Sequence, residues 1–220
     1  MTSASTFPQR LTKIDDLARP DHFYLTPDDE CYFLGEYTAR KGYAFSPTNQ
    51  LILNFKKSMV KRATAQWRYK EKAIDEAAAA FRAALNKEWL DSATLVPIPP
   101  SKSKNDALYD DRLVRMLRGI RTNPQLDLRE LVFQRASTAA VHDQENRPTP
   151  EQIQANYGID PALRDPDPQV IGLFDDVLTT GAHFRAASAA LKQSFPGVQI
   201  VGFFIARRVP EAADFGDFDL

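Results

Sequence analysis

The sequence has few of the residues that build covalent or metal-centred sites. Its 220 residues include one cysteine, Cys31, so neither an internal disulfide nor a cysteine-rich zinc site can form. This cysteine usage is typical of a reducing compartment, and we expect a cytoplasmic protein. The three histidines, His22, His142 and His183, do not have the spacing of metal ligands, so we predict no metal site made by the protein alone.

Long apolar runs and an excess of one charge are also absent. The 28 Lys and Arg residues nearly balance the 29 Asp and Glu residues, and the net charge of −1 gives no electrostatic reason to expect a nucleic acid or a membrane as partner. No run approaches the roughly 20 apolar residues of a membrane span. Met1–Arg10 is polar, unlike a secretory signal peptide. We interpret the local basic cluster at Lys56, Lys57, Lys61 and Arg62 as the solvated end of a helix.

The residues that are present predict an α/β fold. A hydrophobic content of 43% is enough for a sizeable core. The strand-like runs are Thr94–Pro99, Leu131–Phe133, Val170–Phe174 and Val198–Ala206. Helical patterns begin at Ser46-Pro47, near Ile74, near Leu108 and at Phe184. This alternation implies parallel crossover connections, and hence a doubly wound, mainly parallel sheet flanked by helices.

The first 45 residues are predicted to form a small N-terminal hood on this domain. Cys31–Thr38 is aromatic-rich and strand-like, and Tyr43–Phe45 is predicted to return as the second strand of an antiparallel hairpin. Residues 46–220 then form the α/β domain. The aromatic rings of the hood are candidates to stack on a base, but we interpret most of them as core.

The most informative stretch is Val170–Phe184, with the sequence VIGLFDDVLTTGAHF. A buried strand leads into Asp175 and Asp176, and a hydroxyl-rich turn, Thr179–Ala182, leads directly into a helix. Free backbone amides and the helix dipole favour an anion at such a helix start. Gly181 lets the backbone approach a phosphate, and the two carboxylates can accept hydrogen bonds from neighbouring hydroxyl groups. The pattern therefore predicts a ribose 5-phosphate site.

A second candidate site is Val96–Lys104, with the sequence VPIPPSKSK. This strand ends in a loop with two lysines and two serines, which can hold a polyanion. Taken alone, two exposed surface lysines explain the pattern equally well. The motif at Asp175 makes the polyanion site the better interpretation.

Gln134–Asp160 is the longest stretch without a core pattern, and such segments are usually functional or mobile. Its candidates to reach a ligand are Arg135, His142 and Arg147. Thr149 and Gln152 have the spacing of a helix capping box, and Gly158 is a candidate for the end of that helix.

The stretch at Asp175 resembles the phosphoribosyl-pyrophosphate (PRPP) motif of type I phosphoribosyltransferases. The resemblance implies that Asp175 and Asp176 hold the ribose 2′ and 3′ hydroxyls as catalytic residues, and that the turn cradles the 5′-phosphate. The implied PRPP-binding residues of this stretch are Asp175, Asp176, Val177, Leu178, Thr179, Thr180, Gly181, Ala182 and His183. In this family the loop after the first sheet strand holds pyrophosphate, which implies Ser101 and Lys102, with Lys102 as a third catalytic residue. His183 departs from the family, which usually has Thr or Ser there; a protonated His183 can pair with phosphate.

A wider pattern is similar to the ComF-like, competence-type phosphoribosyltransferases over roughly residues 46–208. The residues that carry it are the V-P-I-P-x-S run from Val96, Arg135, Thr138, Arg147, Asn156 and the helix end Phe55-Lys56. Two features depart from that family. Where that family has a cysteine-rich zinc element, this chain has only Cys31. Where the family has an R-G-F-N-Q run, this chain has Tyr109–Arg112. Asp110 and Asp111 can be a second hydroxyl or Mg²⁺ site, or the solvated start of a helix paired with Arg112 or Arg115.

The resemblance implies an enzyme that binds PRPP, or a ribose 5-phosphate nucleotide, with Mg²⁺ held mainly by PRPP. It would transfer the phosphoribosyl group to an unidentified acceptor and release pyrophosphate. One alternative is a catalytically weak or inactive binding module with a protein or DNA-processing partner. Another is a hydrolase of PRPP or nucleotides on the same fold. A protein partner and a homodimer are both left open by the sequence, and no membrane partner is expected.

Overall fold

The structure, a computed structural model, describes residues 7–138 and 148–210. The six strands of its central sheet are β1 (Thr12–Lys13), β2 (Glu30–Thr38), β3 (Ala93–Pro97), β4 (Asp127–Leu128), β7 (Val170–Leu178) and β8 (Gln199–Val209). A separate antiparallel pair consists of β5 (Val132–Gln134) and β6 (Tyr157–Ile159). The chain therefore builds one large sheet and one small ribbon from its described residues.

The central sheet has the order β1-β2-β8-β7-β3-β4 and is mostly parallel. Only β1, a short edge strand, runs antiparallel to its neighbour β2. The other four pairings are parallel, with β7 and β8 matched from Val170↔Gln199 to Leu178↔Arg207. Parallel strands need cover on both faces, and the β7 residues Ile171, Leu173 and Phe174 have no exposed surface.

Helices cover both faces of the sheet. The helices are α1 (Pro47–Phe55), α2 (Trp67–Ala84), α3 (Lys87–Ser92), α4 (Arg112–Ile120), α5 (Pro150–Ala155) and α6 (Ala182–Ser194). Helices α1 to α4 pack on one face, where Phe55, Phe81 and Phe174 lie in one apolar cluster. Helices α5 and α6 pack on the other face, where Phe184 and Leu173 share a second cluster. The architecture is α/β with a flanked, mostly parallel sheet, which is compatible with a doubly wound fold.

Two predicted helix starts are confirmed by their capping contacts. Ser46 precedes Pro47, and its Oγ accepts a hydrogen bond from the Asn49 amide at 3.0 Å. Thr149 and Gln152 form the reciprocal capping box at the start of α5. In both cases a side chain satisfies a backbone amide that has no partner inside the helix.

The predicted hairpin of Cys31–Thr38 with Tyr43–Phe45 is wrong. Instead of turning back, β2 pairs in parallel with β8 over its whole length. Asn49 of α1 ends the strand, because its side chain accepts from the Thr38 amide at 3.2 Å and donates to the Thr38 carbonyl at 2.8 Å. Residues 30–38 therefore belong to the main sheet, while the division of the chain at residue 45 stays a prediction.

Two further details differ from the sequence predictions. The strand predicted at Leu131–Phe133 exists as β5, but it pairs with β6 outside the central sheet. Gly158 does not end a helix, since α5 ends at Ala155 and Gly158 lies in β6, where the Phe133 ring covers it.

Among the described residues, no helix is long and apolar enough to cross a membrane.

Candidate functional site

The hydroxyl-rich turn joins the carboxyl end of β7 to the start of α6. Gly181, the residue directly before α6, has a φ of 87°, a left-handed conformation that favours glycine. A Cβ atom at Gly181 would lie 3.0 Å from the Leu25 side chain. Within the described part of the chain, no hydrogen bond takes up the backbone amides of Thr180, Gly181 or Ala182. The turn therefore presents unused donors at a helix N-terminus, as the sequence predicts.

The carbonyl groups of the same turn are not free. The His22 ring donates through Nδ1 to the Thr179 carbonyl, and the Tyr24 amide donates to the Thr180 carbonyl at 3.0 Å. His22 is fully buried, and burial lowers the pKa of its imidazole. The N-terminal segment thus holds the carbonyl side of the turn and leaves the amide side unpaired.

Asp176, two residues before the end of β7, is buried and paired with two cations. Its Oδ1 accepts from Lys56 Nζ at 3.0 Å. Its Oδ2 accepts from Arg112 Nη2 at 2.6 Å and from Arg112 Nε at 3.2 Å. Lys56 directly follows α1 and Arg112 is the first residue of α4, and these two helices pack on the same face of the sheet. Both carboxylate oxygens of Asp176 are therefore occupied by protein donors.

A second, partly buried acid extends this network. Asp110 Oδ2 accepts from Arg112 Nη1 at 2.7 Å and from Lys70 Nζ at 2.7 Å. Lys70 has no exposed surface, and its ammonium also donates to the Phe55 and Lys57 carbonyls at 2.9 Å each. Burial lowers the pKa of Lys70, although Asp110 opposes that effect. Asp110 is thus a structural partner of Arg112 and Lys70 rather than a solvated helix start.

Asp175 differs from Asp176 in both contacts and ionisation. Its Oδ1 accepts only from the backbone amide of Asp176, at 2.7 Å. Burial and the neighbouring charge of Asp176 raise the pKa of Asp175 to about 7. The pKa of Asp176 is held well below its usual range by Lys56 and Arg112, which outweigh the opposite effect of burial. The acidic pair therefore combines one fixed anion with one carboxyl group that titrates near neutral pH.

His183 lies in the first turn of α6 and forms a hydrogen bond between its Nδ1 and the Tyr157 hydroxyl at 3.0 Å. Although the residue keeps contact with solvent, the protein packed around its ring lowers the pKa of the imidazole. His183 is thus hydrogen-bonded to Tyr157, and the pairing of a protonated His183 with phosphate stays a prediction.

The loop after β3 lies at the same edge of the sheet as the turn. Strands β3 and β7 are parallel neighbours, and the Ile98 amide donates to the Phe174 carbonyl at 2.8 Å. Lys102 is 3.9 Å from Asp106, a weak pairing, whereas Lys104 pairs with Glu130 at 3.1 Å. The Thr138 amide donates to the Ser101 carbonyl at 2.8 Å and fixes the loop from the other side. Lys102 is thus the less tightly paired of the two lysines, although the Lys104 side chain is the more exposed.

Strand β8 brings two arginines to the opposite side of the turn. Arg207, which pairs in register with Leu178, is bound to Asp21 at 3.1 Å and to Glu36. Arg208 follows it and lies level with the first residue of the turn. Among the described residues the Arg208 side chain has no hydrogen-bond or ion-pair partner, and its Nε is buried. Arg208 is therefore an arginine at the carboxyl end of β8 that has no ion-pair partner among the described residues.

The segment around Arg135 is only partly described. Arg135 Nε donates to the Tyr157 carbonyl at 3.0 Å, and the residue lines an open groove of about 620 Å³ between α5 and α6. Asn156 has a structural role, since its side chain holds Gln134 and both backbone groups of Ala136. His142 and Arg147 lie outside the described residues, so their predicted approach to a ligand stays a prediction.

Sequence reasoning did not assign the residues that surround the acidic pair. The sequence places Lys56 in a solvated basic cluster and at the helix end of the ComF-like pattern, and it gives no role to His22. The signal for Lys56 was its place directly after the apolar face of α1, which aims it along the sheet toward β7. The sequence pairs Arg112 only with its neighbouring acids, because its contact with Asp176 forms only when α4 packs on the sheet.

Comparison with known proteins assigns no family: no protein-family model matches the chain, and no curated protein is a significant match. Within residues 7–138 and 148–210, no group of three or more His, Cys, Asp and Glu residues could hold a metal ion. The site is therefore interpreted from its own geometry.

Proposed function

We propose that the protein binds PRPP with Mg²⁺ and transfers its phosphoribosyl group to an acceptor, with release of pyrophosphate. One observation carries the proposal: a buried strand delivers Asp175 directly before a turn whose three successive amides have no described partner. A phosphate binds such amides, and the carboxyl group beside it accepts from sugar hydroxyls. We include in the proposal the type I phosphoribosyltransferase fold and kinship with the ComF-like members.

Three strand ends divide the ligand between them in this proposal. The turn after β7 holds the 5′-phosphate, with Arg208 from β8 as an additional cation. Asp175 accepts hydrogen bonds from the ribose hydroxyls, while Asp176 remains an anion paired with Lys56 and Arg112. Lys102, on the loop after β3, neutralises the pyrophosphate. The parallel order of β3, β7 and β8 supports this division, because the carboxyl ends of all three strands meet at one edge.

The donor set fits a magnesium ion that is held mainly by its ligand. Asp176 has no free oxygen for a metal, which leaves Asp175 as the protein carboxylate beside the turn. Mg²⁺ usually keeps several waters and binds substrate phosphates with one or two carboxylates. When bound, the ion would neutralise charge on the pyrophosphate.

The chemistry requires little covalent participation by the protein. The bond from C1 of ribose to the pyrophosphate oxygen breaks, its electron pair leaves with pyrophosphate, and a lone pair of the acceptor forms the new bond to C1. The ribose carries positive charge in the transition state, as in glycoside cleavage. The protein therefore contributes by positioning the ribose with Asp175 and by stabilising the leaving group with Lys102.

Pyrophosphate release separates the candidate activities. Mg-PRPP is incubated with the protein and a panel of purine, pyrimidine and pyridine bases, with and without Mg²⁺. We expect release that depends on one acceptor class. Release without an acceptor would instead indicate a hydrolase, and no release with any base would argue against transfer to these acceptors.

One observation favours a second candidate function. Asp176 is fully engaged by Lys56 and Arg112, so one carboxyl group rather than two is free for the ribose. This arrangement is consistent with a binding module that holds PRPP without efficient transfer and reports it to a protein partner. Saturable binding of Mg-PRPP in calorimetry, with no pyrophosphate released by any acceptor, would favour this function.

A further inference from the structure

We infer that His22 and Tyr24 position the phosphate-binding turn by holding its carbonyl groups, so that its amides are directed toward the ligand. We call residues 21–29, which carry these two groups, the strap. The inference rests on the proposed function and adds a positioning role for residues far from the motif in sequence.

The physical basis is the geometry of the peptide group. In a trans peptide the carbonyl of one residue and the amide of the next point in opposite directions. The peptides from Thr179 to Thr180 and from Thr180 to Gly181 are both trans. The strap binds the Thr179 and Thr180 carbonyls, and therefore the amides of Thr180 and Gly181 are turned to the opposite side. Without these contacts either peptide could rotate and offer a carbonyl to the phosphate instead.

The ionisation of His22 agrees with this role. A carbonyl oxygen only accepts, so Nδ1 carries a proton. A second proton, on Nε2, would be a buried donor without a described partner, and burial lowers the pKa of the ring. Nε2 is buried and has no partner among the described residues. This is the arrangement of a neutral ring. His22 therefore acts on the turn through its hydrogen bond to the Thr179 carbonyl and adds no charge of its own beneath the turn.

The strap is itself fixed at both ends. Asp21 pairs with Arg207 of β8 at 3.1 Å. Asp29 pairs with Arg185 of α6 at 3.0 and 3.1 Å through the two carboxylate oxygens. Between these ends Leu25 packs on Gly181, at the position where a Cβ atom would meet its side chain. The strap is therefore anchored to β8 at one end and to α6 at the other.

The test compares three substitutions of His22 in the full chain. Asn places an N–H at the position of Nδ1, Gln places it one bond further along the side chain, and Ala removes it. Inorganic phosphate and ribose 5-phosphate are titrated while the amide signals of Thr180 and Gly181 are followed by NMR. Phe23→Ala is the matched control, because Phe23 belongs to the strap, is 66% exposed and makes no hydrogen bond to the turn.

We expect saturable shifts of both amide signals in the wild type and in Phe23→Ala. His22→Ala should weaken phosphate binding about tenfold or more, which is the scale of a misdirected hydrogen bond to a charged group. His22→Asn should restore most of the affinity and His22→Gln should not. If His22→Ala fails to fold, the comparison of Asn with Gln alone decides the matter.

The outcomes distinguish the positioning role of His22 from the proposed function. If the wild type responds to phosphate and all three variants bind equally well, the positioning role is overturned and the proposed function survives. If the Thr180 and Gly181 signals of the wild type do not respond to either ligand, both the phosphate site and its positioning by His22 are overturned.

Discussion

Lys56 and Asp176 lie 120 residues apart in the chain, and their side chains meet at 3.0 Å between Nζ and Oδ1. The contact joins the end of α1 to the carboxyl end of β7. With Arg112 on the other oxygen, it keeps Asp176 ionised and immobile beside an acid, Asp175, whose pKa is raised. The two acids of one motif thus have different physical roles, and the first three predictions below follow from this arrangement and from the turn beside it.

Removing Arg112 should destabilise the protein strongly. Arg112→Ala leaves the buried Asp176 and the partly buried Asp110 with fewer donors, and breaking one partner of a buried pair typically costs about 3–5 kcal/mol of unfolding free energy. Arg115→Ala on the same helix is the control, since its pair with Glu71 is 31% and 40% exposed and should be worth less than about 1 kcal/mol. Urea denaturation of both variants measures the difference. Equal losses would show that the buried network contributes nothing special.

Asp175→Asn should stabilise the fold, and the gain should depend on pH. The unfolded pKa is near 4 and the folded pKa is about 7, so the folded state binds the extra proton between these values and wild-type stability falls as pH rises through this window. The neutral amide avoids this loss. At about 1.4 kcal/mol per pKa unit, the variant should be more stable by roughly 2–4 kcal/mol at pH 8 and by little near pH 4. Denaturation curves at both pH values test the sign, and a gain that is the same at pH 4 and pH 8 contradicts it.

Gly181→Ala should lower both stability and phosphate affinity. The left-handed backbone costs about 1–2 kcal/mol for a residue with a Cβ atom, and the Leu25 side chain must also move. Gly197→Ala is the control: its φ is 82°, but nothing lies within 4 Å of an added Cβ. We expect the control to lose only the backbone contribution and to bind phosphate normally. Calorimetry with ribose 5-phosphate measures the affinity of both variants. Equal binding by the two would contradict the assignment of the turn as the phosphate site.

Lys102→Ala should affect one part of the ligand more than the other. Because Lys102 lies on the loop after β3, its loss should weaken pyrophosphate binding while ribose 5-phosphate binding changes little. Lys192→Ala removes an exposed lysine from the last turn of α6 and should change neither. Competition titrations with the two ligands measure the split. An equal loss for both ligands would mean that Lys102 does not mark the pyrophosphate subsite.

The parts of the fold that follow from local patterns were predictable. The apolar run of β7, the cap at Ser46 and the capping box at Thr149 each depend on residues within a few positions of one another. The parallel sheet followed from the alternation of strands and helices. The prediction of a hairpin at Cys31–Thr38 is wrong because tertiary contacts decide which strands pair. The residues of β2 are apolar enough for a sheet that is covered on both faces, and β2 pairs in parallel with β8.

The candidate site shows the same division. The turn at Thr179–Ala182 and its helix were readable, because a helix start leaves amides unpaired by its own geometry. The partners of Asp176 were not readable, since Lys56 and Arg112 reach it only after two helices pack on one face of the sheet. The contact of His22 with the Thr179 carbonyl spans 157 residues and leaves no periodic signal in the sequence.

The most direct measurement is calorimetric titration of Mg-PRPP into the wild type, Asp175→Asn, and the double variant Asp175→Asn with Asp176→Asn. Asp167→Asn, an exposed acid before β7, is the control, and thermal unfolding checks that the double variant is folded despite its loss of the partner of Arg112. We predict saturable binding by the wild type and the control, at least about tenfold weaker binding by Asp175→Asn, and none by the double variant. Equal binding by the wild type and a folded double variant would contradict the assignment of this site to the ribose of PRPP.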